Sequence, residues 1–326
     1  MRSWLSWQVT SRMADPDLSV ELCGVRLRNP LVLAAGVLGT GAELLARVAK
    51  SGAGMVTTKS CGPSPRAGHP NPTVLDWCHG LINAVGLANP GVDEEVPVIE
   101  DAKKLLTQLG VPLAASIFAE TVEGFAQVAR KVAEAAPDFI ELNISCPNVA
   151  TEMGRPFACD AGDAARVTAA VKQVTSVPLI VKLSPNVTDI ATIARSVEHA
   201  GADAIAAINT LGPGMIIDIH AGKPVLSNKV GGVSGPAIRP IAVRCVYDIC
   251  HAVEIPVVGM GGVSDGRDAL EMIMAGATAV GVGSAVRYRG SDVFSAILDE
   301  MKDLMAEEGY GSVAELRGVA HTCARD

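Results

Sequence analysis

Eight short apolar runs, rich in β-branched residues, recur along the 326-residue chain and restrict its fold more than any other feature. They occupy residues 31–35, 55–60, 112–119, 138–145, 178–184, 204–210, 256–263 and 279–285. Because the runs are apolar nearly throughout and do not alternate with polar residues, they are typical of parallel strands that are covered on both faces.

Amphipathic segments separate these runs. Helical spacing of apolar residues occurs in segments 43–53, 121–136, 188–200, 238–253 and 265–275, and again from Phe294 to Met305 after the eighth run. Strands that alternate with helices eight times predict an α/β fold of the (β/α)8 TIM-barrel type, in preference to an open doubly wound sheet.

A β-hairpin is predicted before the first barrel strand. Its alternating apolar positions are Leu18, Val20, Leu22, Val25 and Leu27, with a turn at Cys23 and Gly24. We expect this hairpin to plug the amino-terminal mouth of the barrel. Residues 1–17 are interpreted as a disordered N-terminal extension, of which residues 1–12 would be a start-site artefact if translation begins at Met13, and residues 18–326 as a single barrel domain.

Three long connections leave the same face of the predicted barrel. They follow strands 2, 4 and 6 and cover residues 61–97, 146–159 and 211–237. Barrel enzymes build their active sites from the loops that follow the strands, and long loops in a compact domain are usually functional. We therefore expect the site at this face, framed by three irregular flaps.

Composition excludes several classes of function. Lys and Arg number 27 against 35 Asp and Glu, so the net charge is −8, and no basic stripe indicates a nucleic-acid partner. The eight cysteines form no CxxC pair, and no histidine motif for a metal is present, so metal catalysis is disfavoured. No targeting segment or membrane span is evident, which favours a cytoplasmic protein.

Glycines at the ends of strands 7 and 8 indicate a phosphate site. Gly261 and Gly262 follow strand 7, and Gly283 and Ser284 end strand 8. Glycine lets backbone N–H groups approach an anion closely, and barrels often hold a phosphate between these two loops. Turn formation alone could explain either loop, but the two together favour a phosphorylated ligand.

Amide side chains and one thiol cluster at the strand ends. Asn143, Cys146 and Asn148 lie within six residues at the end of strand 4, Asn209 ends strand 6, and Asn83 lies in the first flap. Amides can donate to and accept from a planar heterocycle. A cysteine is more often a small buried apolar residue, but the position of Cys146 after the strand favours a chemical role.

Two lysines lie in otherwise apolar strands. Lys59 ends strand 2 and Lys182 lies in strand 5, where an unpaired ammonium would be costly to bury. Each could hold an anionic ligand, or could pair with a core carboxylate, for which Glu141 is the obvious candidate. We favour the ligand role.

Together these features form motifs that resemble the catalytic subunit of class 1 dihydroorotate dehydrogenases, from about residue 18 to residue 285. The motifs are TTKS at 57–60, NAVGLANPG at 83–91, NISCPN at 143–148, VKLSPNVTD at 181–189, INT at 208–210 and GGVSGPAI at 231–238. In the membrane-bound class 2 enzymes a serine stands at the position of Cys146, so the resemblance is to the soluble class.

The resemblance implies that FMN is the cofactor and dihydroorotate the substrate. The residues implied for FMN binding are Ala35, Lys59, Ser60, Ser116, Asn143, Lys182, Ile208, Gly235, Gly261, Gly262, Gly283 and Ser284. Those implied for substrate binding are Lys59, Asn83, Ala84, Val85, Gly86, Leu87, Asn143, Asn148, Asn209 and Thr210. Ala35 and Ser116 stand where the family often has Ser and Asn, and the loop after Asn148 lacks the paired glycines expected there.

The same resemblance implies that the chain oxidises (S)-dihydroorotate to orotate in de novo pyrimidine (UMP) biosynthesis. In this reaction Cys146 would be the catalytic base. It would remove a proton from C5 of dihydroorotate while C6 delivers a hydride to flavin N5, and Lys182 would stabilise the reduced flavin. An ordinary thiol has a pKa of about 8.5, so activity should rise on the alkaline side.

Residues 222–238 look closer to the NAD-linked (class 1B) type than to the fumarate-linked (class 1A) type. The NAD-linked type is a heterotetramer, in which a homodimer of catalytic subunits binds electron-transfer subunits that carry FAD and a [2Fe-2S] cluster. This chain lacks the cysteine spacing for such a cluster, so NAD reduction would require the partner.

Several alternatives stay open at this point. The electron acceptor could be fumarate, or the substrate could be another dihydropyrimidine, as in the related barrel of dihydropyrimidine dehydrogenase. A non-redox lyase or isomerase acting on a sugar phosphate would need an acid/base pair that the sequence does not reveal.

Overall fold

The computed structural model describes residues 15–145 and 155–322. The strands in chain order are β1 (Val20–Leu22), β2 (Val25–Leu27), β3 (Leu31–Leu33), β4 (Met55–Thr57), β5 (Val74–Asp76), β6 (Leu81–Asn83), β7 (Leu113–Ile117), β8 (Phe139–Asn143), β9 (Leu179–Lys182), β10 (Ala204–Ala207), β11 (Leu211–Gly214), β12 (Ile217–Asp218), β13 (Lys223–Pro224), β14 (Gly231–Ser234), β15 (Val257–Met260) and β16 (Ala279–Val282).

Eight of these strands form a closed barrel. The order is β3, β4, β7, β8, β9, β10, β15 and β16, and all pairs are parallel. The last strand returns to the first, with Val280 opposite Leu31. Each of the eight apolar runs contains one barrel strand, so the prediction of a (β/α)8 barrel is confirmed.

Helices surround the barrel. They are α1 (Ala42–Lys50), α2 (Val92–Leu109), α3 (Val122–Glu134), α4 (Ala161–Lys172), α5 (Ile190–His199), α6 (Arg239–Ala252), α7 (Gly266–Met274), α8 (Ala285–Arg289), α9 (Val293–Glu308), α10 (Val313–Leu316) and α11 (Val319–Thr322). Single 3₁₀ turns occur at Phe157–Cys159 and Pro236–Ile238.

Capping residues explain where several helices begin. The side chains of Thr121, Asp160, Asp189 and Asp265 accept hydrogen bonds from backbone N–H groups in the first turns of α3, α4, α5 and α7. These acceptors satisfy N–H groups that have no partner within the helix. Asp and Thr ahead of apolar helical spacing therefore place the helix starts close to the strand ends that precede them.

The amino-terminal hairpin closes one end of the barrel. β1 and β2 pair antiparallel, and Leu22 and Leu27 are fully buried. Both leucines belong to the cluster formed by inward-facing barrel residues such as Phe139, Ile180 and Met260. This packing confirms the predicted hairpin and its plugging role, and it leaves the opposite end of the barrel for a ligand.

A four-stranded antiparallel sheet, which we call the roof, lies across the connections that follow β4 and β10. Its order is β11, β14, β6 and β5, and Ile82 of β6 lies opposite Val233 of β14. The prediction that these two connections are irregular is therefore wrong. Each strand has only three or four residues, and the pairing joins segments about 150 residues apart in sequence, which no local pattern reports.

None of the helices within residues 15–145 and 155–322 combines the length and the apolar character that crossing a membrane requires.

Candidate active site

A cavity of about 290 Å³ lies at the carboxyl ends of the barrel strands, at the lower end of the usual size range of ligand pockets. Its walls come from the ends of β3, β4, β8, β9, β10, β15 and β16 and from the roof. This is the face where barrel enzymes carry their chemistry.

The structure brings most of the residues predicted for cofactor binding to this cavity. Those that line it are Ala35, Lys59, Ser60, Asn143, Lys182, Ile208, Gly235, Gly261, Gly262, Gly283 and Ser284. Ser116 does not line it, because its side chain lies behind Ser60 and is fully buried.

The residues predicted for substrate binding also converge on the cavity. Those that line it are Lys59, Asn83, Val85, Gly86, Leu87, Asn143, Asn209 and Thr210. Ala84 faces the other way and packs with Ile82 and Leu226 under the roof, as the alternation of an extended chain requires. Cys146 and Asn148 lie outside the described residues.

Three glycines in the wall leave no room for a side chain. A Cβ on Gly261 would lie 2.6 Å from Ala242 Cβ, and one on Gly262 would lie 2.7 Å from Arg239 Cβ. A Cβ on Gly235 would lie 2.8 Å from Gly80 Cα, and all three have positive φ. Glycine is therefore required at these positions, and the bare backbone forms a cradle beside the cavity.

Positive charge dominates the described part of the cavity wall. Lys59 and Lys182 are the charged residues among the described lining residues, and no carboxylate stands with them at the wall itself. The Lys182 ammonium lies 3.7 Å from Oε1 of Glu141, and both side chains are buried. The two interpretations of Lys182 are thus compatible, because it faces the cavity and also has a carboxylate behind it.

A buried polar cluster supports the wall around Asn143. Ser116 Oγ donates to Glu141 Oε1 at 3.1 Å, and the hydroxyls of Ser116 and Ser60 lie 2.8 Å apart. Asn143 Nδ2 donates to Ser60 Oγ at 3.1 Å. The strand register explains the cluster, since Ser116 of β7 lies opposite Glu141 of β8, and Asn143 lies opposite Lys182 of β9.

The described cysteine nearest in sequence to the wall is unsuited to act as a base. Cys61 follows Ser60, is fully buried, and has its pKa raised to about 12, first by burial and then by the neighbouring carboxylate of Glu95. Such a thiol stays protonated near neutral pH. Glu95 is itself buried, and burial raises the pKa of its carboxyl to about 7.

Comparison with known proteins agrees with this geometry. The model of the family described as "Dihydroorotate dehydrogenase" matches residues 17–305. The chain belongs to the dihydroorotate dehydrogenase family. The resemblance carried by the sequence motifs is therefore confirmed.

Three archaeal relatives cover nearly the whole chain. A protein of Methanothermobacter thermautotrophicus is 48% identical over 307 residues, 93% of this chain and 98% of its own. One of Methanosarcina mazei is 48% identical over 305 residues, 93% and 95% of the two chains. One of Methanocaldococcus jannaschii is 44% identical over 309 residues, 95% and 100%. All three are named dihydroorotate dehydrogenase B (NAD(+)), catalytic subunit.

Sequence reasoning in terms of dihydroorotate dehydrogenase motifs missed two features of the site. One set contributes apolar or backbone surface to the cavity: Ala34, Gly36, Val37, Val74, Leu81, Ser234, Ile238, Met260, Val263 and Gly281. The other omission is the contact between Ser116 and Glu141 behind the wall, since both residues were named but not as partners of each other. Glu141 itself was recognised as a lone acidic residue in a buried strand and as a candidate partner of Lys182, which the structure confirms.

Proposed function

We propose that this chain is the FMN-dependent catalytic subunit of an NAD-linked dihydroorotate dehydrogenase, which oxidises (S)-dihydroorotate to orotate in de novo pyrimidine biosynthesis. The observation that carries the proposal is one cavity in which a glycine cradle, two lysines and several amides converge. The names of the relatives support the same activity and the NAD linkage.

The residues present fit FMN. A phosphate needs backbone N–H groups at close range, which the Cβ-free surface at Gly235, Gly261 and Gly262 can supply, and Gly283 and Ser284 line the same cavity. The isoalloxazine ring would lie toward Lys59, Ser60, Asn143, Lys182 and Ile208. Bound FMN supplies a hydride acceptor, which none of the twenty side chains can replace.

The chain's own residues would handle the substrate and its proton. The carboxylate and ring amides of dihydroorotate would contact Lys59, Asn83, Asn209 and Thr210, because a cationic and amide-rich wall complements an anionic cyclic amide. Cys146 would take the proton from C5 as C6 loses its hydride, so that the C5–C6 double bond of orotate forms. These roles make Cys146 the catalytic residue.

Electron delivery to NAD would use a second subunit. The relatives' name "catalytic subunit" implies a partner, and the cysteine spacing of this chain does not suit an iron–sulfur cluster. We propose a homodimer of barrels bound to subunits that carry FAD and [2Fe-2S], with residues 18–326 of this chain as one FMN-binding domain.

The test is anaerobic addition of dihydroorotate to the purified protein while the visible absorbance of oxidised flavin is recorded. Bleaching by dihydroorotate, but not by dihydrouracil, is the expected result, because the lysines of the wall favour a substrate with a carboxylate. A yellow protein that bleaches only with dihydrouracil would show that dihydrouracil, and not dihydroorotate, is the substrate. A colourless protein that cannot be reconstituted with FMN would refute the proposal.

A further inference from the structure

The buried cluster behind the cavity wall is a continuous hydrogen-bond chain with a fixed beginning. Glu141 lies 3.7 Å from the Lys182 ammonium, and as its carboxylate partner it can only accept hydrogen bonds. The only hydrogen of Ser116 Oγ is used on Glu141 Oε1, at 3.1 Å. The short contact of 2.8 Å between Ser116 and Ser60 therefore requires Ser60 to be the donor.

The same accounting continues to the amide of Asn143. Since the hydroxyl hydrogen of Ser60 is directed at Ser116, Ser60 Oγ must accept, and the group 3.1 Å away must be the nitrogen of Asn143 and not its oxygen. The oxygen of Asn143 is then turned toward Ser145 and Asn209. Ser145 Oγ donates to it at 3.3 Å, and Asn209 Nδ2 lies 3.4 Å from it.

Asn209 is oriented by the same chain. Its nitrogen contacts Asn143 Oδ1 and, at 2.8 Å, Ser145 Oγ, so both N–H bonds are used within the protein. Its oxygen accepts from the backbone N–H of Thr210 at 2.8 Å, and its second lone pair has no donor among residues 15–145 and 155–322. Both residues line the cavity, and the described part of the chain leaves one N–H of Asn143 and one acceptor site of Asn209 for a ligand.

We propose that Glu141 and Ser116 are positioning residues for the ligand: the carboxylate sets the direction of the chain, and the chain makes Asn143 and Asn209 present a donor beside an acceptor. That arrangement complements a ligand edge with adjacent C=O and N–H groups, as in a cyclic amide or imide. Neither Glu141 nor Ser116 lines the cavity. The inference rests on the proposed function, since it assigns the ring amide of the substrate to this pair.

Burial of the polar groups keeps the donor and acceptor pattern of the hydrogen-bond chain fixed. Ser116 and Ser145 are fully buried, and Ser60, Glu141 and Lys182 are each at most 6% exposed. Water therefore has little access with which to replace a lost partner, and a broken link leaves a buried polar group unsatisfied. Reversal of the chain is prevented as long as one end carries a group that cannot donate.

The test uses the full-length flavoprotein with orotate as the probe. Ser116→Ala cuts the chain and keeps the Glu141 charge, whereas Glu141→Gln keeps a polar end that can also donate, so the direction is no longer fixed. Ser184→Ala is the matched control, because Ser184, two residues beyond β9, is 2% exposed and accepts a hydrogen bond from the backbone of Asn186 without taking part in the chain.

Orotate affinity, measured by calorimetric titration, is expected to fall about tenfold in Ser116→Ala and in Glu141→Gln, the upper end of the range for one hydrogen bond between uncharged groups. The double variant should bind no more weakly than the weaker single variant, because both changes act through one chain. For dihydroorotate, KM should rise more than kcat falls. Ser184→Ala should bind orotate as the unaltered protein does.

The reduction potential of the bound flavin distinguishes the effect of the hydrogen-bond chain from the effect of the Glu141 charge. Glu141→Gln removes a negative charge beside Lys182 and should favour the reduced flavin about tenfold, which is about 30 mV upward for a two-electron couple. Ser116→Ala should leave the potential unchanged while still weakening orotate binding. If Ser116→Ala fails to fold, Glu141→Gln decides by the same affinity and potential measurements.

Unchanged orotate affinity in Ser116→Ala or Glu141→Gln, or additive losses in the double variant, would overturn the inference. Those outcomes leave the proposed function intact as long as the unaltered protein is bleached by dihydroorotate. If the unaltered protein binds neither FMN nor orotate, the proposed function fails and the inference fails with it.

Discussion

Replacement of Glu95 by Gln should stabilise the protein above neutral pH. Glu95 lies in the first turn of α2, is 4% exposed, and its Oε1 is buried with no hydrogen-bond partner in the described part of the chain. Burial raises the pKa of this carboxyl from 4.5 to about 7. The folded protein therefore holds a proton on Glu95 over a pH range in which the unfolded chain has lost it.

The sign and size follow from proton linkage. Below pH 4.5 both states are protonated and burial of the charge costs nothing; between about 4.5 and 7 the folded state binds more protons than the unfolded state, so stability falls as pH rises. Above pH 7 the full cost is present, about 3 kcal/mol for a shift of this size. A carboxylate near a helix N-terminus gains only about 0.3–1 kcal/mol, so burial is the larger effect.

Equilibrium urea unfolding at pH 5 and pH 8 measures this effect. At pH 8, Glu95→Gln should unfold at a higher urea concentration than the unaltered protein, with a free energy of unfolding larger by about 2–3 kcal/mol. At pH 5 the free energy of unfolding should rise by about 1 kcal/mol or less. Glu94→Gln is the matched control, because Glu94 is exposed in the same helical turn. Equal gains at the two pH values, or the same gain in Glu94→Gln, would show that burial of the Glu95 charge is not the cause.

Three further predictions concern the site and the barrel. Cys146→Ala should lower kcat by about 10²–10⁴-fold without loss of flavin, as expected for a general base, and Cys146→Ser should move the pH–activity profile further to the alkaline side in steady-state assays. Gly262→Ala should release FMN during gel filtration, because its Cβ would lie 2.7 Å from a neighbouring Cβ, whereas Gly222→Ala, at positive φ in open space, should retain it. Leu22→Ala should lower the free energy of unfolding by about 2–5 kcal/mol, as for other buried leucines, and Glu21→Ala on the exposed face of the same strand should change it little in the same urea titration.

The barrel could be predicted from the sequence because its signal is local. Each strand is a run with both faces buried, such as Leu179–Lys182, so the apolar pattern within one run is sufficient. The hairpin could equally be predicted from the sequence, since Leu22 and Leu27 alternate with polar residues. The roof was not, because its short strands take their identity from partners far away in sequence, as Leu81 does from Ser234.

The candidate site was predictable at its wall, and behind the wall only as far as the pairing of Glu141 with Lys182. Lysine and asparagine at strand ends stand out against apolar runs, and the structure places Lys59, Asn143 and Lys182 at one cavity. The position of Ser116 depends on which residues of β4 and β8 its strand brings beside it, and that is a property of barrel closure. Ala84 shows the same limit, because a motif of consecutive residues does not report which of them face a ligand.

The pairing of β6 with β14 joins the two long connections over the cavity, those that follow β4 and β10, into one sheet, the roof. Asn83 lies opposite Gly232, and a Cβ at Gly232 would meet Thr210 Oγ1, so two cavity-lining residues from distant stretches, Asn83 and Thr210, lie against the same residue of β14. Because the two strands are hydrogen-bonded, a wide opening on this side requires either that the whole roof moves together or that the β6–β14 hydrogen bonds break. For a ligand that enters on this side, we expect the rates of entry and release to change when the β6–β14 pairing is weakened at a position away from the cavity.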